Sequence, residues 1–139
     1  VEYYRAKKQR NETHQRLGET FWDWGIPTAA SLAETVQVLR IPVIASGGLR
    51  SGIDLAKALA LGAGLTGVAY PVLNSASHSV DDVKRRIRLL LDELRITMFL
   101  VGADSLTKLR RVPLLVTGKV AEWLVARGFE PQNYARRDL

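Results

Sequence analysis

The chain of 139 residues contains no cysteine, one methionine and two histidines. Without cysteine there is no disulfide, no thiolate nucleophile and no thiolate metal ligand, a pattern that fits a cytosolic protein. His14 and His78 stand apart, so a histidine-rich metal site is not expected. No apolar run approaches the roughly 18 residues that span a bilayer, and no segment reads as a secretory signal, so no membrane partner is expected. Acidic residues are outnumbered fourteen to twenty, and the resulting net charge of +6 raises nucleic acid as a partner. Lys84, Arg85, Arg86 and Arg88 carry part of that excess, but they lie on a helix-forming segment with an apolar opposite face and read as solvated surface. No RNP, KH or zinc-finger pattern accompanies them, so nucleic acid is not expected either. The charge is compatible with an anionic small molecule such as a diphosphate.

What is present concentrates in residues 41–71. An apolar, partly β-branched run at residues 41–45 is closed by Gly47 and Gly48, the pattern of a strand buried on both faces. Two glycines let the backbone reach positive φ and bring its N–H groups close to a ligand with no Cβ in the way. Ser51 or Arg50 then opens a helix, whose first-turn N–H groups and dipole favour an anion. Strand, glycine turn and helix in that order make a phosphate grip. Taken alone, a Gly-Gly pair at such a place is more often only a tight βα connection. The spacing that follows adds weight: Gly62 stands where a helix C-terminus favours glycine, residues 65–69 make a second short strand, and Tyr70-Pro71 closes it. In a (β/α)8 barrel the loops after the last two strands frequently share a phosphate site, and here residues 48–50 and 69–70 would be its two lips. The length suits one domain but falls short of the about 250 residues of a complete barrel, so the chain reads as part of one.

Around this unit the signals are helical. Residues 2–17 are polar and basic, with helical propensity but no strong apolar stripe, and read as a surface segment. Residues 21–28 form an aromatic cluster ending in turn residues. Thr28 or Ser31 can then cap a helix to about residue 39, with Ser31 and Glu34 at capping-box spacing and Leu32, Val36 and Leu39 facing the core. In the helix after the glycine turn, Ile53, Ala56, Leu59 and Ala60 are expected to allow close packing on the sheet. Ser79, with Asp82 three residues on, starts the longest helix, about residues 80–101. Its Val83, Ile87, Leu90, Leu91, Leu94, Met98 and Val101 recur at helical spacing as a core stripe. Gly102 ends it, Ser105 caps a short helix that stops before Pro113, and residues 119–127 form a last helix ended by Gly128. The polar tail from Pro131 is expected to be loosely held.

Four segments carry a family resemblance: Phe21-Trp22-Asp23-Trp24-Gly25-Ile26-Pro27-Thr28, Ile44-Ala45-Ser46-Gly47-Gly48-Leu49-Arg50-Ser51-Gly52, Ala56-Lys57-Ala58-Leu59-Ala60-Leu61-Gly62-Ala63, and Glu93-Leu94-Arg95-Ile96-Thr97-Met98. Together they resemble type 2 isopentenyl-diphosphate isomerases over most of the chain. The glycine-turn segment alone is shared with other FMN-dependent (β/α)8 enzymes, including 2-hydroxy-acid oxidases, and with inosine-monophosphate dehydrogenase. The Trp-Gly-Ile-Pro-Thr segment and the long C-terminal helix favour the isomerase. Hydroxy-acid oxidases usually present Asp before the two glycines and Gly-Arg at the second turn, where this chain has Ser46 and Ala69-Tyr70, and neither histidine sits in their His-Gly-x-Arg setting.

The resemblance implies an α/β fold, the C-terminal part of a (β/α)8 TIM barrel: the last two or so strands with their helices, plus closing C-terminal helices. Residues 1–139 would be one segment of a single FMN-binding barrel domain. It implies an isomerase of isoprenoid biosynthesis that interconverts isopentenyl and dimethylallyl diphosphate on reduced FMN, with Mg²⁺ and with NADPH or another reductant. A small-molecule diphosphate substrate, a cytoplasmic location and a homo-oligomer, tetramer or octamer in the full-length protein, come with it. Carried over by position, the FMN phosphate falls to backbone N–H groups of Gly48, Leu49 and Arg50, with Gly47 making the bend, and of Ala69 and Tyr70. The Arg50 guanidinium can add to the phosphate or point to solvent. No catalytic or metal residue is assigned to this chain, because the family's flavin-ring, diphosphate and Mg²⁺ residues belong to elements before the matched region; its Gly-Gly-Thr-Ser type segment would precede Val1. Asp23 and Glu34 read as turn and capping residues. Two alternatives stay open: a 2-hydroxy-acid oxidoreductase of the same barrel family, and a non-catalytic half-barrel that self-associates through its long helix.

Overall fold

The computed structural model describes residues 2–137; the expectations for Val1 and the last two residues lie outside it. The sheet is a parallel pair, β1 (Ile44–Ala45) and β2 (Leu65–Thr66), with Ile44 opposite Leu65 and Ala45 opposite Thr66. Parallel neighbours need a crossover connection, and α4 (Gly52–Leu61) supplies it. Both strands are shorter than the sequence suggests, and burial on both faces does not hold. The pleat sends successive residues to opposite faces. Ala45 is buried among Leu32, Ala33, Ala58 and Leu61, whereas Ile44 and Leu65, each 64% exposed, share the face that no helix covers.

α4 is the hub. Ser51 is its N-cap and makes a reciprocal capping box with Asp54, and Gly62 closes it in the left-handed region at φ 115°. One side of α4 joins a core with α3 (Thr28–Val38), α8 (Gly118–Ala126) and α9 (Gln132–Ala135), centred on Leu124, which is fully buried. The other side, through Ala56 and Leu59, packs with Leu94 and Met98 of α6 (Val80–Leu100) and Leu109 of α7 (Leu106–Leu109). Ile53, expected at the packed face, is half exposed, because the buried stripe runs through Gly52, Leu55, Ala56, Leu59 and Ala60.

Several other expectations change. The capping box at Ser31 and Glu34 is not made: α3 starts after Pro27 with no side-chain cap, and Leu39, expected in the core, is 45% exposed beyond its end. The α6 stripe buries only Leu90 fully, since α4 and α5 (Tyr70–Ala76) cover one side of that helix; Ile87, Leu91 and Val101 stay exposed. Tyr70-Pro71 does not end a strand but opens α5, where a first-turn proline costs no hydrogen bond. The basic segment splits into α1 (Glu2–Lys8) and α2 (Glu12–Thr20) at Arg10, whose φ is 53°, and packs on itself with Tyr3 edge-on to Trp22. The tail is not loose. Tyr134 of α9 is 4% exposed, and its carbonyl accepts from the Leu114 N–H at 2.9 Å. A composition-based reading misses this because one aromatic ring anchors an otherwise polar segment.

Candidate phosphate-binding turn

The strand ends lie side by side. The Gly67 N–H donates to the Ala45 carbonyl at 2.7 Å, and a Cβ on Gly67 would stand 3.3 Å from the Ser46 side chain. Beyond Ser46 the backbone enters the left-handed region twice, at Gly47 (φ 101°) and Gly48 (φ 78°), which an L side chain adopts only with strain. Space around Gly48 is open: nothing approaches its missing Cβ within 4 Å.

The polar groups of this turn divide by kind. Two of its carbonyls, those of Gly47 and Arg50, are taken from within the chain. The Thr28 hydroxyl donates to the Gly47 carbonyl at 2.9 Å, and Arg86 Nη2 to the Arg50 carbonyl at 2.6 Å. Among the described residues, the N–H groups of Gly47, Gly48, Leu49, Ala69 and Tyr70 donate to nothing in the chain. Leu49 holds the turn down by packing against the α3–α4 core. Successive open N–H groups in a turn are the geometry that anion-binding nests use. A second row of N–H groups at Ala69 and Tyr70, on the neighbouring strand end, adds to it.

The start of α4, by contrast, is not open. Asp54 Oδ2 accepts from the Arg50 and Ser51 N–H groups, both at 3.0 Å, and Glu93 Oε2 of α6 accepts from the Gly52 N–H at 2.5 Å. Partial burial pushes the Asp54 carboxyl up. The Arg50 and Ser51 donors and the Lys57 charge outweigh that and hold it below its ordinary value. The expectation that the first-turn N–H groups of α4 await an anion therefore fails at residues 50–52, where two carboxylates already stand. Arg50, one of the expected phosphate donors, has its N–H engaged within the chain, and only its exposed side chain stays available. The donors left open are those of the turn itself, at Gly47, Gly48 and Leu49, and those of Ala69 and Tyr70 on the neighbouring strand end.

The Ser51-x-x-Asp54 spacing is a capping signal the sequence did carry. Thr28, Arg86 and Glu93 are 19, 36 and 41 residues from their partners, and no local pattern points to them. Glu34 is neither a cap nor an acid–base group: it accepts from Trp123 Nε1 at 2.8 Å and Arg127 Nε at 3.2 Å, tying α3 to α8. Among the described residues no three His, Asp or Glu side chains gather as a metal site, and no helix is long and apolar enough to cross a membrane.

Residues 21–115 match the family model of FMN-dependent dehydrogenases. The chain is 52% identical to the isopentenyl-diphosphate delta-isomerase of Methanothermobacter thermautotrophicus over 137 residues, which is 99% of this chain and 38% of that protein. It is 52% identical to the protein of the same name from Pyrococcus horikoshii, over 91% of this chain and 34% of that one. The Methanosarcina barkeri protein is 45% identical, over 97% and 36%. The chain thus spans little more than a third of the curated relatives it matches. Among solved structures, mandelate oxidase aligns with a TM-score of 0.61 at 36% identity, covering 65% of this chain and 28% of that one. The matched residues run from the aromatic cluster through the glycine turn, both strands and α6 into the segment after α7, and on that span the chain belongs to the FMN-dependent dehydrogenase family.

Proposed function

We propose that this chain is the flavin-phosphate-anchoring portion of an isopentenyl-diphosphate isomerase that works on FMN. The observation that carries the reading is the run of open donors in the turn: among the described residues the N–H groups of Gly47, Gly48 and Leu49 are open, with Ala69 and Tyr70 open across the strand ends, while the Gly47 and Arg50 carbonyls are engaged within the chain. A phosphate dianion needs several convergent donors and no nearby Cβ, and the residues fit that need. The Arg50 side chain can add a charged contact from the rim. The names of the relatives at about half identity support the substrate, isopentenyl diphosphate, and the isomerase reaction.

When bound, reduced FMN supplies the proton exchange with the substrate alkene. This chain's residues hold it by the phosphate: the two glycines make the bend, Thr28 and Arg86 keep the carbonyls turned to the protein, and Leu49 anchors the loop in the core. The chain is read as the C-terminal part of a (β/α)8 barrel. Its parallel β1-α4-β2 unit, the uncovered face bearing Ile44 and Leu65, and an open groove of about 320 Å³ beside β1 between Ile26, Thr35 and Ser46 all support that reading. Residues contacting the flavin ring, the diphosphate and Mg²⁺, the use of NADPH, the homo-oligomer and a cytoplasmic setting belong to the longer protein in this proposal.

A second reading, a 2-hydroxy-acid oxidoreductase, draws on the mandelate oxidase match. It is the weaker one, because Ser46 and Ala69-Tyr70 depart from the oxidase pattern and identity to the isomerases is higher. The deciding experiment supplies the flavoprotein that carries this chain with FMN, NADPH, Mg²⁺ and isopentenyl diphosphate. Dimethylallyl diphosphate is the expected product; its absence, together with turnover of a 2-hydroxy acid, overturns the proposal.

A further inference from the structure

The turn is held from outside its own strand–helix unit, by the long helix α6. Glu93 Oε2 accepts from the Gly52 N–H at 2.5 Å, and Arg86 Nη2 donates to the Arg50 carbonyl at 2.6 Å. These two side chains are seven residues apart, close to two helical turns, so they project from one side of α6 about 10 Å apart along its axis. Gly52 makes the approach possible. A Cβ there would stand 2.4 Å from both the Glu93 Cβ and the Leu94 N, and 2.5 Å from the Leu90 carbonyl, so the first turn of α4 rests directly on the α6 backbone.

We propose that Glu93 and Arg86 are positioning residues for the cofactor phosphate, an inference that rests on the anchoring role proposed above. They engage the N–H at residue 52 and the carbonyl at residue 50, Asp54 engages the N–H groups at 50 and 51, and Thr28 engages the carbonyl at 47. Among the described residues, the N–H groups at residues 47–49 remain free. Arg86 brings a positive charge from α6 to the Arg50 carbonyl, beside the open turn. Its Nε is buried without a partner, an uncommon state for a folded protein that a purely cosmetic surface contact does not account for. Neither residue is assigned a contact with the flavin; both act through the backbone of residues 50–52.

The test uses the flavoprotein that carries this chain, stripped of flavin and titrated with FMN and, separately, with riboflavin, which lacks the phosphate. The quantity read is the ratio of the two dissociation constants. Glu93→Ala and Arg86→Met should each weaken FMN by about tenfold or more while riboflavin moves less than about twofold. Glu93→Gln, whose amide oxygen still accepts from the Gly52 N–H, should restore most of the preference. Equal weakening of both ligands makes the pair a helix staple and overturns the proposal, as does an unchanged ratio. Riboflavin binding also reports folding, so a variant that does not fold is recognised by loss of both ligands, and the conservative Glu93→Gln and Arg86→Lys variants then decide: a preference for FMN graded with retained hydrogen bonding supports positioning, and an ungraded one refutes it. If the unaltered protein shows no preference for FMN over riboflavin, or Gly48→Val leaves that preference intact, the anchoring role itself fails, and that result is distinct from failure of the clamp.

Discussion

The two ends of α4 are closed by opposite chemistry. At its N-terminus carboxylates from Asp54 and Glu93 take up N–H groups of residues 50–52. At its C-terminus cations and a phenol take up carbonyls: Arg137 Nη1 donates to Ala60 at 2.5 Å and to Arg110 at 3.0 Å, Arg110 donates to Ala63 and Gly64, and the Tyr134 hydroxyl lies 3.5 Å from the Leu61 carbonyl. Both arrangements match the helix dipole, negative groups at the start and positive groups at the end. Burial pushes the Tyr134 hydroxyl above its ordinary value, against the Arg137 charge and the Gln37 hydrogen bond, as suits a group sealed into the core. The difference lies one step outside each end. Beyond the C-terminus the Gly64 N–H donates to the Val43 carbonyl at 2.8 Å and the chain runs directly into β2. Before the N-terminus three consecutive N–H groups, at residues 47–49, stand open. The helix end itself leaves no open donor at residues 50–52; its neighbours at residues 47–49 do.

Variants at the two ends should separate these roles. The largest effect is expected from Gly52→Ala, where the added carbon meets backbone atoms of α6 at 2.4 to 2.5 Å. Overpacking of this kind costs about 1–3 kcal/mol, so chemical denaturation should show a clear loss and flavin content should fall with it. Full stability in this variant would mean that α4 does not rest on α6. Next comes Gly48→Val: nothing blocks its side chain, but a β-branched residue at φ 78° is strained by about 1–2 kcal/mol. FMN affinity should drop about tenfold or more while riboflavin is spared, measured by fluorescence titration. Retained flavin would reduce the turn to a connection.

At the other end, Arg137→Met should cost about 1.5 kcal/mol of stability, the low end of the range for a hydrogen bond involving a charged group, and leave FMN affinity as it was. A change in FMN affinity there would erase the contrast between the ends. The smallest effect is Asp54→Asn, about 1 kcal/mol near neutral pH for a weakened cap. Because the folded protein holds the Asp54 carboxyl below its ordinary value, its contribution is full above the ordinary carboxylate range and is lost as pH falls through the folded value. The variant and the parent should therefore converge in acid. A gap that stays constant with pH would mean the charge of Asp54 plays no part.

Much of the turn was legible in the sequence. Gly47, Gly48 and Gly62 all adopt the left-handed conformation that their positions demanded, and Ser51 and Ser79 cap the helices they precede. These are local features, written in consecutive residues. The misreadings share one cause: they were judgements of what covers what. Ile44 looked buried on both faces, Leu39 looked like core, and the tail looked loose, yet each outcome depended on which distant element lay alongside. Glu34 had the spacing of a cap, but Trp123, 89 residues on, claimed its carboxylate instead.

The sequence by itself determined where the backbone bends and where helices begin, because glycine conformations and capping hydrogen bonds depend on neighbours within four residues. It also carried the family, because the glycine-turn segment is a continuous string. The local cap at Asp54 closed the donors at residues 50 and 51; only the tertiary structure decided the one at residue 52 and which carbonyls are engaged. Opposite results for the donors at residues 47–49 and 50–52, three residues apart, came from Asp54 folding back and from Glu93 arriving on another helix. Hydrogen-bond satisfaction is a property of atoms in space, and residues 36 and 41 positions away supplied the atoms that engage the Arg50 carbonyl and the Gly52 N–H, which no neighbour in the sequence reaches.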